Sequence, residues 1–582
     1  MTSYSFPKRS ALTQAYFACS LHLPNFHIIV QVGWHLNHRN AFLLMKLKVK
    51  MLEELSSASK QLHVALERYL HICSSIQTLC LQGPTSRSIL PEYAQRVDQE
   101  VGLLESYDAT MQKAKLAIKS TRNYAFRIAP INCLPIEILT RIFYMVRDSD
   151  PCHVDCLALV CSRWRSVALG SPAIWSHIDY HPHSSKWFYP ELLEQAQLHV
   201  ARSEEMPLDF HLSVSCESYN TNCYDSPVEQ LCRLVAPRMR SLELDLEGFS
   251  QGWPNAAANS VMSTLFSECT PGMLSKLVTS DPDCFGFVTT TEEGRPDDSG
   301  LKVDIKRADL EQIFSSITML HLTGLYPRWT SHAYHGLVDL RLFSASTGDE
   351  GDSQIAEAQL VRILKASPGL RILHFEFEII QWSETRTNAS RVRLPDLEIV
   401  QVGSAYDVQF TRIEHLLRLL EPGPKPLHLA ARCHGPESNP EPSTPELKSF
   451  FARSNVTKLY VTELPELPVL LPSLPHLKVL ILLNLRNLSQ PNPPNPSDPL
   501  TYPQLDACFV QSCSLTLDDF LALIRHCRPK ILTLFDNKFY RRGPREKVEM
   551  EIVEQELSAI CSDIRIAHTR PNLAEHQDLL EY

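Results

Sequence analysis

The sequence predicts an α+β chain in three parts: a helical hairpin, a compact three-helix unit, and an α/β region of repeated parallel strands. Three observations carry this. Apolar residues recur every seven positions from Leu55 to Ile76. Three short amphipathic segments crowd between Ile131 and Asp179. From Ser176 onward, brief apolar-x-apolar-x-apolar segments return again and again with helical stretches between them. At 582 residues the chain exceeds a single core, and about 150 residues per domain gives three or four units. Its 44% apolar and 21% charged residues are the proportions of a folded chain.

Residues 1–45 read as a tail. Lys8-Arg9 followed by Ala11–Leu23 has the outline of a targeting peptide, yet Pro24, Asn25 and the histidines at 22, 27 and 35 interrupt the apolar stretch. The expectation is a flexible tail or a misplaced start in the gene model. From Lys46 a heptad sets in: Leu55, Leu62, Tyr69 and Ile76, each followed three residues later by Ala58, Ala65, Ile72 and Leu79. Gln82-Gly83-Pro84-Thr85-Ser86 breaks it. A second amphipathic helix follows from about Pro91 to Thr121, with Val97, Leu104, Met111 and Ile118 at sevens. Two helices joined by a short Gly-Pro turn predict an antiparallel hairpin or coiled coil over 46–121. A hairpin is a poor core by itself. Its seam must pack on itself, on the unit that follows, or on a second copy through Leu55, Leu62, Tyr69 and Ile76.

The compact unit begins at Leu134-Pro135, a start that suits the first turn of a helix. Ile138, Leu139, Ile142, Phe143 and Val146 then mark one helix face. Leu157–Val160 and Val167–Leu169 form two further apolar segments, and Ala173-Ile174-Trp175 closes the stretch. So small a unit has too much surface to bury two tryptophans, a phenylalanine and these aliphatics unaided. It is a docking module on physical grounds. The residues Leu134-Pro135-Ile136-Glu137-Ile138-Leu139, Ile142-Phe143, Val160-Cys161-Ser162-Arg163-Trp164 and Ile174-Trp175 resemble the F-box, in order and over about 45 residues. A proline and extra charge in Asp148–Asp155 depart from the pattern and predict a late start for the middle helix. The resemblance implies a three-helix F-box over 131–178 that binds the Skp adaptor and, through it, a cullin. It assigns adaptor contact to Leu134, Pro135, Glu137, Ile138, Leu139, Ile142, Phe143, Val160, Trp164 and Trp175. Read from the residues alone, Trp164 and Trp175 suit the core equally well, while Arg163 and Arg165 project outward.

Beyond it, Leu242–Leu246, Met319–Leu322, Leu337–Leu342, Leu370–Phe375, Leu397–Val402, Val456–Val461, Leu477–Leu482 and Ile531–Leu534 alternate with period two, the pattern of half-buried strands. Ala356–Lys365, Phe410–Leu420 and Leu517–His526 read as helices between them. One strand and one helix per unit is the logic of a solenoid. The Pro-x-Leu-x-x-Leu-x-Leu units are similar to irregular leucine-rich repeats, although strand starts fall unevenly and the asparagine position is mostly missing; an ordinary α/β domain stays open. The reading for 179–582 is thus a leucine-rich-repeat-like α/β solenoid with parallel strands, whose outward residues include Glu243, Asp245, His321, Arg341, His374 and Lys478. Thr289–Gly300, Cys433–Glu446 and Ser489–Asp498 are polar and proline-rich and read as loops, with Ser443-Thr444-Pro445 a phosphorylation motif. Residues 546–562 read as a closing helix that caps the last repeat.

Chemistry is sparse. There is no G-x-x-x-x-G-K-[ST], G-x-G-x-x-G, G-x-S-x-G or H-E-x-x-H, so no catalytic residue and no cofactor is assigned. The 23 histidines are dispersed, and Cys152, His153, Cys156 and Cys161 lack the paired spacing of a zinc site; the last two fit as small apolar helix residues. With 56 Lys+Arg against 66 Asp+Glu, the net charge of −10 argues against nucleic acid. No window has the roughly 20 apolar residues that span a bilayer. Seventeen scattered cysteines suggest thiols of the cytosol or nucleus. The expected function is therefore non-catalytic: the substrate-recognition subunit of an SCF-type cullin–RING ubiquitin ligase holding an unknown protein target. The alternative is a scaffold that uses the same helices outside any ligase.

Overall fold

The computed structural model describes residues 26–82, 91–123, 131, 134–149, 153–180, 190–215, 227–247, 256–281, 285–292, 300–345, 354–381, 391–403, 413–432, 444–462, 464, 466–486, 488, 502–542 and 546–567. They fall into two compact units, Met1–Arg122 and Asn123–Tyr582.

The first unit holds helices α1 (Phe26–Gln82) and α2 (Pro91–Asn123). Helix α1 starts well before Lys46, so part of the stretch read as a tail is helical backbone; residues 1–25 and the Gly83-Pro84 turn lie outside the described residues. Tyr69 Oη donates to Glu100 Oε2 at 3.1 Å, and Cys80 Sγ meets Tyr93 Oη at 3.5 Å. Rising numbers on one helix meet falling numbers on the other, so the two run antiparallel. Their seam stays open. Leu55 is 49% exposed, Leu62 43% and Ile76 38%, and of the four residues expected to self-associate only Tyr69 is half-covered. No described helix is long and apolar enough to cross a membrane.

In the second unit, α3 (Ile136–Ser149), α4 (Val154–Val160), α5 (Ser162–Leu169) and a 3-10 turn at Pro172–Trp175 come first. Directly behind them runs a fourteen-stranded sheet. Its strands are β1 (His177–Tyr180), β2 (Leu208–Ser215), β3 (Met239–Glu247), β4 (Lys276–Ser280), β5 (Met319–Thr323), β6 (Asp339–Phe343) and β7 (Ile372–Phe375). There follow β8 (Ile399–Val402), β9 (Leu427–Arg432), β10 (Val456–Thr462), β11 (Val479–Leu483), β12 (Ala507–Gln511), β13 (Ile531–Phe535) and β14 (Asp563–Ala567). Each strand pairs in parallel with the one before it, so sheet order is chain order. Parallel neighbours demand a crossover, and helices such as α6 (Pro190–Arg202), Glu357–Ala366 and Leu517–Cys527 provide it.

The register explains why this sequence makes such a sheet. One ladder aligns Ile178, Phe210, Leu242, Leu277, Leu320, Leu340 and Leu373, then continues through Val400, Leu429, Leu459, Leu480, Cys508, Leu532 and Ile564. Because side chains alternate across a strand, the ladder lies on one face and joins the same core as the inner helix residues Leu360, Ile363 and Leu364. The residues one step along lie on the opposite face.

Several expectations need correction. Strands β1, β2, β4, β9, β12 and β14 fall outside the segments that alternation marks, since most are short or carry Ala, Ser and Cys in place of leucines. Thr289–Gly300 is no simple loop: Gly286–Thr290 and Gly300–Val303 are paired strands of a small second sheet, and Thr444-Pro445-Glu446, read as the end of a loop, opens the helix Thr444–Arg453; residues 293–299, 433–443 and 489–498 lie outside the described set. Helix Ile413–Leu417 is shorter than expected. The closing helix spans Met550–Ser558 and is followed by β14, so a strand and not a helix ends the sheet. Its alternation Asp563-Ile-Arg-Ile-Ala567 and the Asp563–Arg565 ion pair at 2.8 Å put charge on that edge, where unpaired backbone otherwise invites association.

Gly403, just past β8, has φ +99°, and a Cβ there would collide with the Arg432 carbonyl oxygen. Gly403→Ala should cost on the order of 1–3 kcal/mol or more, read as a lower urea midpoint with unchanged slope. Gly369→Ala, with open space around it, should leave the midpoint where it is; equal midpoints for the two variants would contradict this packing.

Candidate functional site

Helix α3 starts where Pro135 fixes the backbone, and its first full bond runs from Leu139 N to Pro135 O at 3.1 Å. Glu137 in the first turn and Arg147 in the last match the helix dipole. The Arg147 guanidinium donates to Ala173 O at 2.7 Å, and that of Arg163 to Leu134 O at 2.6 Å. Both ends of α3 are thereby pinned to later segments, and Arg163 turns inward where the sequence suggested solvent. The middle helix starts at Val154, directly behind the charged connection. Cys161 is not an apolar helix residue: its Sγ caps α5, accepting from Trp164 N at 3.5 Å. Cys156 is exposed.

The ten residues expected at an interface divide cleanly. Leu139, Phe143 and Trp175 are each 0% exposed and form the core with Val154, Leu157, Val167 and Ile174. They support the module and do not present a surface, because an alternation of three and four turns half the apolar stripe inward. Trp164 is half-buried with its ring centroid 5.0 Å from that of Phe143. Leu134 and Ile142 are half-buried, while Pro135, Glu137, Ile138 and Val160 are exposed. Sequence reading missed three exposed apolar neighbours: Ile136, Met145 at 64% and Leu159 at 75%. Met145 continues the stripe from Ile138 and Ile142 at helical spacing, which was the available signal. Pro135, Ile138, Met145, Leu159 and Val160, with half-buried Ile142, thus offer apolar surface that the described residues leave uncovered.

The unit is tied to the sheet behind it. Asp155 of α4 accepts from Gln195 Nε2 at 2.6 Å and Arg202 Nη1 at 3.4 Å, and meets His199 Nε2 at 3.1 Å, all on α6. The His199 hydrogen bond holds its carboxyl below the usual range. Arg202 lies 4.3 Å over the Trp175 ring, whose Nε1 donates to Ala168 O at 2.8 Å.

Residues 131–181 match the F-box-like family. F-box domains are, as a rule, non-catalytic protein-interaction modules that typically bind Skp-type adaptors. No curated protein matches the chain.

A second candidate surface is the sheet face opposite the ladder. Its middle row runs Asp179, His211, Glu243, Val278, His321, Arg341 and His374, then Gln401, Ala430, Tyr460, Ile481, Phe509, Thr533 and Arg565. The chemistry is graded along it: acidic at the start, basic and imidazole-rich in the middle, apolar where Ala430, Tyr460, Val479 and Ile481 form a separate cluster. Glu243, Arg341 and Asp245 keep partial exposure, but His321 (9%) and His374 (2%) are buried and do not face solvent as expected. Lys478 precedes β11 and lies off the face. Among the described residues no group of three or more His, Cys, Asp or Glu could hold a metal ion.

Two histidines here have opposite electrostatics. For His211, burial opposes charge, but hydrogen bonds to Asp179 and Asp245 at 3.1 and 2.9 Å outweigh it and push its pKa up to about 10. For His374, burial comes first and Arg341 adds to it, pushing the pKa down to about 3; neither ring nitrogen has a hydrogen-bond partner. An unfolded histidine titrates near 6.5. The His211 contribution is therefore complete below about pH 6.5 and is lost as pH rises toward 10; the His374 penalty sets in below about 6.5 and grows toward pH 3. Melting temperature should peak near pH 6.5. His374→Leu should flatten the acid limb and His211→Gln the alkaline one; limbs unchanged in the variants would refute both assignments.

Proposed function

We propose that this chain is the substrate-recognition subunit of an SCF-type cullin–RING ubiquitin ligase. The F-box-like domain holds a Skp-type adaptor and through it a cullin, and the sheet presents a protein target. The observation that carries this reading is the stripe of Pro135, Ile138, Ile142 and Met145 beside Leu159 and Val160, left open while Leu139, Phe143 and Trp175 close the core. In this reading 179–582 is a leucine-rich-repeat-like solenoid. Strand order equal to chain order, with one apolar ladder throughout, supports it. Targets lie on the sheet face opposite the ladder, where half-exposed residues such as Glu243, Asp245 and Arg341 supply selectivity. The chain does no chemistry itself. It raises the local concentration of a target beside a conjugating enzyme carried elsewhere in the assembly. The Asp155 junction supports the same reading: four side chains join the adaptor-binding helices to α6, so a bound target is held at a fixed reach.

The alternative, a ligase-independent scaffold, draws on the open apolar residues of α1 and α2. Adaptor binding separates the two. An Ile138→Gln/Met145→Gln variant should lose Skp-type adaptor by about tenfold or more in affinity, with its melting temperature nearly unchanged because both side chains are exposed and glutamine suits a helix. Leu139→Ala should instead lower stability by about 2–5 kcal/mol. A folded wild-type chain that retains no adaptor would leave the scaffold.

A further inference from the structure

Two buried side chains on the sheet face opposite the ladder lack the partners that burial requires. His374 of β7 is 2% exposed, and neither of its ring nitrogens has a hydrogen-bond partner. Arg432, the last residue of β9, is 8% exposed and its Nε has no partner. Among the described residues its guanidinium makes no ion pair; it lies 5.8 Å from the centre of the Tyr460 ring. Strand β8 runs between β7 and β9, but the residue that follows it, Gly403, lies against Arg432 and brings no side chain there. Burial first, then Arg341, and less strongly His321 and Arg432, keep the His374 imidazole neutral against the pull of Asp339. The neighbouring charges are already engaged. Arg341 donates to both Asp339 oxygens at 3.0 Å, and His321 Nε2 lies 3.0 Å from Asp339 Oδ2. Glu376, two residues past His374, accepts from Ser344 N at 3.3 Å. A buried cation is tolerated where an opposite charge meets it and is costly elsewhere. What remains here is one unmatched positive charge, the Nε–H beside it, and the single N–H of a neutral imidazole.

We propose that Arg432 and His374 together bind a carboxylate group. Its single negative charge matches the one unmatched guanidinium, and its two oxygens match two donors carried on separate strands. A phosphate group fits less well. It carries nearly two negative charges at neutral pH and would stand beside Asp339 and Glu376 with one guanidinium to balance it. Two sources carry the carboxylate chemistry: a free small organic acid, and an acidic side chain of a bound protein. The second rests on the reading of this face as the one that holds a target; the first does not.

The test melts the full-length chain at neutral pH in sodium acetate and in sodium chloride of equal ionic strength. Acetate that binds the folded site should raise the melting temperature by about 1–3 °C over chloride. Arg432→Gln removes the unmatched charge. In chloride it should melt as high as wild type or higher, and it should show no acetate shift. His374→Leu should keep less of the shift than wild type. The proposal is overturned by a wild type that acetate does not stabilise, by an Arg432→Gln variant that keeps the shift, or by one that melts below wild type in chloride. A larger shift with inorganic phosphate than with acetate would overturn it too. A peptide with blocked ends and one internal glutamate, run beside its glutamine counterpart, separates the sources. Stabilisation by the glutamate form and not the other assigns an acidic residue of a target. An acetate shift with neither peptide active assigns a small acid. Adaptor binding is not read in this experiment, so its failure leaves the ligase reading standing.

Discussion

One constraint organises the larger unit: every second residue of fourteen strands must be apolar and must line up with its neighbours. The ladder from Ile178 to Ile564 meets it with aliphatic or aromatic side chains at all but Cys508, itself fully buried. Burying each such side chain is worth about 1.5–3 kcal/mol, and a one-residue slip in any strand would turn its set outward. The register is therefore determined collectively, and everything on the opposite face inherits its position from it. His211 finds Asp179 and Asp245 on either side because three strands agree in phase. His374 is enclosed for the same reason: adjacent rows carry Phe343 and Arg341 across it.

The F-box-like helices solve a different problem with the same currency of apolar surface. Their nine-residue core is small, and Trp175 fills much of it while handing its other edge to His199 and Arg202. Strand β1 begins two residues later. The module is thus completed by the sheet that follows it. Residues left over on α3 and α4 have no such completion among the described residues, which divides the apolar side chains of this domain into supporting and open ones.

Much of this was legible in the sequence. The Leu134-Pro135 opening, the Ile-Phe pair and the two tryptophans located the F-box-like unit, and period-two runs such as Leu242–Leu246 and Leu477–Leu482 located strands. What stayed hidden has physical causes. Leu139 and Ile138 are equally apolar, and only the helix phase relative to α5 decides which is buried. Strand β12, Ala-Cys-Phe-Val-Gln, has too little aliphatic alternation to stand out, yet its neighbours' ladders force it into line. The burial of His374 depends on three strands far apart in sequence. Capping by Cys161 rests on a thiol whose helix-starting role no periodicity marks.

The measurement that bears most directly on the central claim is hydrogen exchange of the full chain with and without a Skp-type adaptor. The account predicts that amides of α3, and those around Leu159 and Val160, slow on adaptor addition, while the ladder strands β3 to β13 exchange unchanged. Saturating adaptor that leaves α3 and α4 untouched, or that protects only the sheet, would contradict it.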